Sequence, residues 1–400
     1  MKPSTADLVE TMTDLASAAY GARVLFATDE WFAPASRLLL PEPPVDIADR
    51  FTSFGKWMDG WESRRKRTSG HDWCVLALGM RGTVDVVDVD TAFFTGNYAP
   101  RVSIQAADLA QGGGAGADSA LRVLTAKALE DRAMGVSATL EDLKLVEQLQ
   151  STKWTEIVPI TKLGAGYPET RHNLLRVSPT KRGPWTHIRL NVFPDGGIAR
   201  LRVLGEVVRN WKLVSSSEKL DLVSIENGGQ VIGFNDAHYG HPRNLTAPGR
   251  SKTMAGGWET ARKVTRPAIL KVDASSGLLE VPGKDWAVLK LGHLGVIQQV
   301  EVDTNHFKGN FPESCVVYGT RYYGDDAANE LMKDDGVIKW EVVLPRVKLE
   351  AHKRHYYSVV EGNVHVISAG VNYVKLEMFP DGGISRLRLI GVKKDADARL

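Results

Sequence analysis

With 400 residues, the chain exceeds what one hydrophobic core usually serves, so two domains of roughly 150–200 residues are expected. Its 50 Lys and Arg residues nearly cancel its 48 Asp and Glu residues, which argues against nucleic acid or an anionic membrane surface as a partner. Cys74 and Cys315 lie in apolar runs, so buried, reduced thiols and a cytoplasmic location are expected.

The first segment, TADLVETMTDLASAAYG, predicts a helix that ends at Gly21, and we assign residues 1–19 to an N-terminal helical segment. Its acidic residues interrupt the apolar stretch that a signal peptide needs. No apolar run in the chain is as long as a membrane span. We therefore expect neither a signal peptide nor a membrane-spanning segment.

Short runs that alternate apolar and polar residues follow, among them CVLALG at 74–79 and VDVVDVD at 84–90. This alternation has the period of a β-strand with one buried face. A Gly/Ala-rich stretch, QGGGAGADSA at 111–120, predicts a flexible loop. After it, SATLEDLKLVEQLQSTKW predicts a helix with Ser137 or Thr139 as its N-cap.

The chain repeats itself. The matching blocks occur in the same order: DEWFAPASRL at 29–38 with DAHYGHPRNL at 236–245, DGWESRRK at 59–66 with GGWETARK at 256–263, DWCVLALG at 72–79 with DWAVLKLG at 285–292, VDTAFFTGNY at 89–98 with VDTNHFKGNF at 302–311, and HIRLNVFPDGGIARLRVLGE at 187–206 with YVKLEMFPDGGISRLRLIGV at 373–392. We therefore predict copy 1 at 20–205, a linker at 206–224, copy 2 at 225–392 and a tail at 393–400.

Each copy is predicted to be mainly β. The sequence PDGG supplies Pro and Gly at turn positions, which predicts a hairpin between IRLNVF and ARLRV. Many short strands at this spacing favour an antiparallel jelly-roll sandwich over a parallel α/β sheet. The Gly/Ala-rich and helical stretch at about 111–153 has no counterpart in copy 2 and is predicted to be a surface insertion.

These residues resemble the allantoicase family. The resemblance is carried by FATDEWFAPA at 26–35, DGWESRRKR at 59–67, VDTAFFTGNYAP at 89–100, RHNLLRV at 171–177 and both FPDGGI turns, and it covers about 20–392. It implies two tandem galactose-binding-like jelly-roll β-sandwiches with a few short helices, and hydrolysis of allantoate to (S)-ureidoglycolate and urea in purine degradation. The alternative is a non-catalytic ligand- or carbohydrate-binding protein built from two jelly rolls.

The implied reaction sets three chemical requirements, because a C–N bond at the central carbon of allantoate is exchanged for a C–O bond. A guanidinium should hold the carboxylate, an acid should protonate the departing ureido nitrogen, and a base should activate water. Arg64 to Arg67 follow GWES in copy 1, and Arg262 and Lys263 follow GWET in copy 2. A solvated basic loop is the alternative to an anion clamp, and pairing of the loop with Glu62 or Glu259 would leave one Arg free for the substrate.

Carboxylates and amides recur at the predicted strand ends. Asp90 and Asp303 each end a strand, and a Gly-Asn pair follows, with Asn310 in copy 2. Such an aspartate could serve as acid or base, although an Asp at a strand end often caps the following turn. The Asn amide could contact a ureido group, whereas the preceding Gly is expected to serve a turn.

Seven of the ten histidines lie in copy 2: His238, His241, His293, His306, His352, His355 and His365. His238, His241 and His306 align with Trp31, Pro34 and Phe93 of copy 1. This distribution suggests that copy 2 supplies the chemistry, because histidine can donate a proton near neutral pH. Neutral substitution on the surface is the alternative explanation.

We therefore predict the active site in copy 2. The predicted catalytic residues are Asp236, His238, Asp303 and His306, and the predicted substrate-binding residues are Arg262, Glu259, Asn310, Arg354 and His355. Arg262 is assigned to the substrate carboxylate, and Arg354–His355 is interpreted as the counterpart of Arg171–His172, although a hairpin salt bridge would also explain that pair.

The sequence also bears on metal binding and on the oligomeric state. Asp236, His238 and His241 resemble a metal-ligand cluster, so a divalent metal stays an open alternative, and no other cofactor is indicated. Repeated domains leave large similar surfaces, and most soluble oligomers are symmetric, so a homo-oligomer is expected.

Overall fold

The computed structural model describes residue 8 and residues 12–110, 114–130, 133–265, 267, 269–333 and 336–395. The chain divides into two compact units, Met1–Val208 and Arg209–Leu400, which we call unit 1 and unit 2. None of the helices in these described ranges is both long and apolar enough to cross a membrane.

Unit 1 is built on antiparallel strands. The main strands are β1 (Thr13–Asp14), β2 (Arg23–Ala27), β3 (Asp72–Asp90), β4 (Arg101–Ala107), β5 (Thr155–Lys162), β6 (His172–Arg176), β7 (Trp185–Phe193) and β8 (Arg200–Val207). Short strands pair Asp29–Glu30 with Val136–Ser137, Phe51–Thr52 with Gly55–Lys56, and Trp61–Glu62 with Gly197–Ile198. The helices are α1 (Ala115–Lys127), α2 (Leu140–Glu147) and the 3-10 turns Ala18–Tyr20, Ala35–Leu39, Ser151–Lys153 and Pro179–Lys181.

The long strand β3 belongs to both layers of the sandwich. Its first part pairs with β2 and β7, and its last part pairs with β6 and β8. The layers are therefore β2–β3–β7–β4–β5 and β1–β8–β3–β6. Gly79 and Gly82 lie at the crossing, where an added Cβ would come within 2.5 Å of the Tyr20 carbonyl oxygen and 2.4 Å of the Glu206 carbonyl oxygen. The predicted jelly-roll sandwich is confirmed.

Unit 2 repeats this arrangement. Its main strands are β9 (Lys219–Asp221), β10 (Gln230–Phe234), β11 (Asp285–Asp303), β12 (Ser314–Thr320), β13 (Glu341–Lys348), β14 (Arg354–Ser358), β15 (Val371–Phe379) and β16 (Arg386–Lys393). Short strands pair Trp258–Glu259 with Gly383–Ile384 and Lys271–Val272 with Leu279–Glu280. The helices are α3 (Ala327–Glu330) and the 3-10 turns Trp211–Leu213, Ile225–Asn227, Pro242–Thr246 and Met254–Gly256. The layers are β10–β11–β15–β12–β13 and β9–β16–β11–β14.

Strand alternation separates a core face from a polar face. Across β3 and β8, Leu201 is opposite Val89 and Val203 is opposite Val87, and all four are fully buried. The residues between them, in the same register, pair Arg202 with Asp88 and Arg200 with Asp90. The outer face of this layer therefore carries a row of charged groups, although the layer itself is packed on apolar residues.

The predicted PDGG hairpin is wrong. β7 and β8 lie in different layers, so the turn carries the chain from one layer to the other. The short strand after the turn pairs with Trp61–Glu62, and an added Cβ at Gly197 would come within 2.0 Å of the Phe94 ring. The same pairing of Gly383–Ile384 with Trp258–Glu259 occurs in unit 2. Packing against a distant segment thus determines the path of the turn.

Two predictions about helices also need correction. The N-terminal helix does not extend to Gly21, because Thr13–Asp14 forms β1 opposite Gly205 and Leu204; residues 1–7 and 9–11 lie outside the described residues. Gly21, at φ 91°, instead ends a 3-10 turn.

The Gly/Ala-rich stretch predicted as a flexible loop contains the start of α1, and residues 111–113 lie outside the described part. Helix formation there is favoured because Ala117, Ala120 and Leu124 pack against the β2 residues Leu25 and Phe26. The second predicted helix is confirmed as α2, with Thr139 as its N-cap in a capping box. Ser137 belongs to a strand.

Candidate active site

A fully buried tryptophan ties two loops together at the same place in each unit. The indole Nε1 of Trp61 donates to the Asp29 carbonyl oxygen over 2.8 Å, and that of Trp258 donates to the Asp236 carbonyl oxygen over 2.9 Å. Because each tryptophan is followed by a glutamate, this bond fixes the aspartate loop beside Glu62 or Glu259. Because this frame is the same in both units, the side chains at equivalent positions can be compared directly.

Each glutamate is held by an asparagine amide. Asn97 Nδ2 donates to Glu62 Oε1 over 2.6 Å, and Asn310 Nδ2 donates to Glu259 Oε1. The Asn97 carbonyl oxygen accepts from the Gly197 N–H over 2.7 Å, which locks the asparagine loop onto the strand after the PDGG turn. The expected pairing of these glutamates with the basic loop is therefore wrong, because the amide occupies that place.

In unit 1 an arginine is fixed beside this pair. Arg64 Nε and Nη2 contact Asp29 Oδ2 at 2.8 and 2.7 Å, and the Arg64 backbone N–H donates to Asp29 Oδ1 over 3.0 Å. The guanidinium carbon lies 4.3 Å from the centre of the Trp31 ring. Burial raises the pKa of Glu62, an effect that the Asn97 hydrogen bond partly offsets. We call Asp29, Trp31, Glu62, Arg64 and Asn97 loop cluster 1.

In unit 2 the equivalent of Arg64 is Ala261. Asp236 Oδ2 accepts from the Ala261 N–H over 2.7 Å, and within the described ranges no hydrogen bond reaches Asp236 Oδ1. His238 stands where unit 1 has Trp31; its side chain is exposed and packs edge-on against Tyr239 with ring centres 4.3 Å apart. The His238 N–H donates to the Glu259 carbonyl oxygen over 3.1 Å.

The predicted carboxylate clamp, Arg262, is the exposed neighbour of Ala261 and has no ion-pair partner among the residues that the structure describes. It aligns with Arg65, not with the fixed Arg64. Loop cluster 2 therefore comprises Asp236, His238, Glu259, Arg262 and Asn310.

Asp303 and His306 do not join this cluster. Asp303 is fully buried, and its carboxylate accepts from the Asn305 N–H over 2.8 Å and from Arg250 Nη1 over 3.1 Å. The His306 N–H donates to His352 Nδ1 over 2.8 Å, and His306 Nε2 lies 2.9 Å from the Ser251 carbonyl oxygen. Arg250 and Ser251 thus hold both residues in a separate group, in which Asp303 caps a turn.

The predicted pairing of Arg354–His355 with Arg171–His172 is wrong by one residue. The Thr91 N–H donates to the Arg171 carbonyl oxygen over 3.0 Å, and the equivalent Thr304 N–H donates to the Lys353 carbonyl oxygen over 2.9 Å. Lys353 is therefore the counterpart of Arg171, so Arg354 corresponds to His172. In a strand, a slip of one residue places side chains on opposite faces.

His355 corresponds to Asn173, and both close the same turn. His355 Nε2 accepts from the Glu350 N–H over 2.9 Å and Nδ1 donates to the Val302 carbonyl oxygen over 3.1 Å. Asn173 accepts from the Gly164 N–H and donates to the Val89 carbonyl oxygen. Burial lowers the pKa of His355. The predicted role of His355 in substrate binding is therefore wrong, because both of its ring nitrogens form hydrogen bonds with backbone groups. Arg354 lies exposed on β14 opposite Asp303.

The structure does not gather the proposed metal ligands. His241 Nδ1 accepts from the Arg243 N–H over 3.0 Å and caps the 3-10 turn Pro242–Thr246. Burial, with a smaller effect of Arg243, lowers the pKa of His241 to about 4. Within the described ranges, no three His, Cys, Asp or Glu side chains are grouped closely enough to hold a metal ion.

Comparison with known proteins gives a consistent result. The family described as Allantoicase repeat matches residues 13–208 and 220–394. The chain belongs to the allantoicase family. A probable allantoicase of Pseudomonas savastanoi pv. phaseolicola is 38% identical over 382 residues, covering 96% of each chain. One from Acinetobacter baumannii is 37% identical over 385 residues, covering 96% of this chain and 95% of the relative.

Solved structures of allantoicases are similar as well. Allantoicase from Saccharomyces cerevisiae aligns with a TM-score of 0.64 and 29% identity over 95% of this chain and 93% of its own. A second allantoicase structure aligns with a TM-score of 0.67 and 29% identity, covering 98% and 100%. Each of the two matched allantoicase segments contains one loop cluster, and all residues of loop cluster 1 precede the insertion at about 111–153.

Proposed function

We propose that the allantoicase reaction of this chain, the hydrolysis of allantoate to (S)-ureidoglycolate and urea in allantoin degradation, takes place at loop cluster 2. One observation carries this choice. Ala261 replaces the arginine that occupies the equivalent carboxylate in unit 1, and this leaves Asp236 Oδ1 available two residues from the exposed His238. A carboxylate with an open oxygen beside an imidazole can act as a general base and a general acid.

The reaction joins a water oxygen to the central carbon of allantoate and breaks one C–N bond. In the proposed step Asp236 takes a proton from water as the C–O bond forms. His238 gives its proton to the ureido nitrogen as the C–N bond breaks, so the leaving group departs as neutral urea. The proton on Asp236 then returns to His238 through solvent, which restores both groups.

The remaining residues of loop cluster 2 suit the rest of the substrate. Asn310 Nδ2 donates to Glu259 and, over 3.7 Å, to the Met254 sulfur, so its side-chain carbonyl oxygen is the group that can accept from a ureido N–H. Arg262 is exposed and aligns with Arg65, one residue past the Arg64 position, so its long side chain has to turn back past Ala261 for the guanidinium to meet the substrate carboxylate. Asp303, His306 and His355 are left out, because their polar atoms serve turns and ion pairs of the fold.

Urea release from allantoate, measured with the purified chain, tests this proposal. Wild-type protein is expected to release one urea per allantoate, and His238→Gln is expected to lower kcat strongly with an unchanged melting temperature, because the side chain is exposed. Absence of urea release by the wild type would refute the reaction. Full kcat in both His238→Gln and Asp236→Asn would place the chemistry elsewhere.

A cytoplasmic location and a homo-oligomeric state are part of the proposal. Cys74 and Cys315 are buried free thiols, which suits a reducing compartment. Symmetric assembly is the commonest arrangement for soluble oligomers. Light scattering at micromolar concentration is expected to give a multiple of the 43.9 kDa chain mass, and the monomer mass would contradict this part.

A further inference from the structure

We propose that loop cluster 1 is a second ligand site, which binds a small carboxylate bearing a ureido group and does not hydrolyse it. The choice of a ureido carboxylate rests on the proposed function of loop cluster 2, because the two clusters share the same glutamate–asparagine pair and tryptophan frame. The site itself is argued from the contacts of unit 1.

The first element is a guanidinium held in a fixed orientation. Arg64 uses Nε and Nη2 for Asp29 and stacks on Trp31, so two independent contacts restrain the side chain. In the part of the chain that the structure describes, no hydrogen bond or ion pair reaches Arg64 Nη1, and the side chain is 42% exposed. An arginine that is already oriented loses little conformational freedom when it binds a carboxylate.

The second element is an amide and a carboxyl group on the same side of the chain as Arg64. Ser63 turns the other way, since its Oγ accepts from the Gly196 N–H over 3.3 Å. Glu62 and Arg64 are two residues apart, roughly 7 Å along an extended segment, so their side chains leave on one side. We expect a small molecule with a carboxylate at one end and a ureido group at the other to lie between the Arg64 guanidinium and the Glu62–Asn97 pair.

The site lacks the groups that hydrolysis needs. Both Asp29 oxygens are occupied, Oδ2 by the Arg64 guanidinium and Oδ1 by the N–H groups of Arg64 and Trp31. Trp31 stands where unit 2 has His238, so an indole replaces the imidazole proposed to protonate the leaving group. The cluster therefore has groups that can bind a ureido carboxylate and lacks the open carboxylate and imidazole proposed for catalysis in loop cluster 2.

Equilibrium dialysis with labelled hydantoate (N-carbamoylglycine) tests the inference on the full chain. This probe carries one carboxylate and one ureido group, and the expected result is two molecules bound per chain. Asn97→Ala and the matched Asn310→Ala are each expected to remove one of them. Arg64→Lys keeps the positive charge beside Asp29 but loses the forked donor, and it is expected to weaken one binding event roughly 10- to 100-fold.

One hydantoate per chain that Asn310→Ala removes and Asn97→Ala leaves in place would overturn the inference. So would two per chain in both Asn97→Ala and Arg64→Lys, with unchanged affinities. Urea release from allantoate is measured on the same wild-type preparation. Two binding events without urea release would reject the reaction assigned to unit 2 and leave the second site standing, so the two failures are distinguishable.

Discussion

Units 1 and 2 carry different side chains on the same backbone frame. In unit 1, Arg64 occupies the Asp29 carboxylate and stacks on Trp31. In unit 2, the equivalent positions are Ala261 and His238, and Asp236 keeps one oxygen open. A carboxylate neutralised by a guanidinium is a structural group, whereas the same carboxylate without it becomes a candidate base. Removal of one side chain can thus separate a binding site from a reactive one.

A second comparison explains why the buried strand-end aspartates are structural. Asp90 is paired with Arg171, which precedes β6, whereas Asp303 is paired with Arg250, which follows the 3-10 turn Pro242–Thr246. Lys353, the counterpart of Arg171, instead contacts Glu350. The two units therefore place a guanidinium at the same carboxylate from different loops. A buried charge requires a partner wherever the chain can supply one.

The largest expected difference between the units is in the kcat of variants at the two equivalent aspartates. Asp236→Asn is expected to lower kcat for urea release by roughly 10²–10⁴, because the base is lost. Asp29→Asn in unit 1 is expected to lower kcat less than tenfold, since that carboxylate is already occupied by Arg64. Both variants are compared at equal fractions of folded protein. A reversed order of the two losses would place the chemistry in unit 1.

A substitution that makes loop cluster 2 resemble loop cluster 1 should lower the rate of urea release. Ala261→Arg is expected to place a guanidinium on Asp236, as Arg64 does on Asp29, and to lower kcat roughly 10- to 100-fold by engaging the open oxygen. The melting temperature should be preserved, because an ion pair is gained. Steady-state urea release provides the measurement, and undiminished kcat in a folded variant would contradict the role given to Ala261.

Asp303→Asn should affect stability rather than catalysis. Asp303 is fully buried and paired with Arg250, whose side chain is 41% exposed, so the loss is expected to be about 1–3 kcal/mol and below that of a fully buried pair. Asp90→Asn, which breaks the pair with Arg171, is the matched variant in unit 1. Denaturant unfolding measures both. A large loss of kcat in folded Asp303→Asn would restore this residue to the active site.

The repeat and the β architecture could be predicted from the sequence, because alternation and internal matches are local signals. The path through PDGG could not. The same turn residues suit a hairpin and a crossing between layers, and the choice depends on Gly197 packing against Phe94, about a hundred positions earlier in the chain.

The site was only partly predictable for the same reason. Alignment of the copies located Glu259, Asn310 and Asp236, but not the contacts that join them, which link residues far apart in sequence. Arg354–His355 was misaligned by one residue, because two short Arg-His motifs match by letters while the strand register follows backbone hydrogen bonds. The open oxygen of Asp236 follows from a contact that the sequence does not show, the ion pair of Arg64 with the equivalent Asp29.

The units also differ in how acid should affect them. His241 caps a turn where unit 1 has Pro34, and burial lowers its pKa to about 4 from an ordinary value of 6.5. Below about pH 6.5 His241 is protonated in the unfolded chain but not in the folded chain, so the free energy of unfolding falls as the pH drops toward 4. His241→Asn, which can still cap, is expected to recover about 1 kcal/mol at pH 5, after allowance for partial solvent exposure.

Thermal unfolding at pH 7 and pH 5 measures that recovery. His187 of unit 1, whose pKa burial also lowers to about 4, should continue to contribute acid sensitivity in the variant, so only part of the loss is recovered. Equal pH sensitivity in the wild type and His241→Asn would contradict the assignment.

The smallest expected effect is a pH dependence confined to unit 1. Burial raises the pKa of Glu62, so its carboxyl group keeps a proton at pH values where an ordinary glutamate has lost it. A protonated Glu62 can donate to an anionic ligand and does not repel it. At pH values where hydantoate is ionised, its affinity at loop cluster 1 should therefore be highest while Glu62 is protonated and fall as the pH rises through the Glu62 pKa. The affinity should fall roughly three- to fivefold, which corresponds to the repulsion between two charges about 5 Å apart in a water-like medium.

Glu62→Gln, which cannot ionise, should remove this dependence, whereas Glu259→Gln in unit 2 should leave it in place. A pH profile at loop cluster 1 that is the same in Glu62→Gln and the wild type would show that Glu62 does not face the ligand.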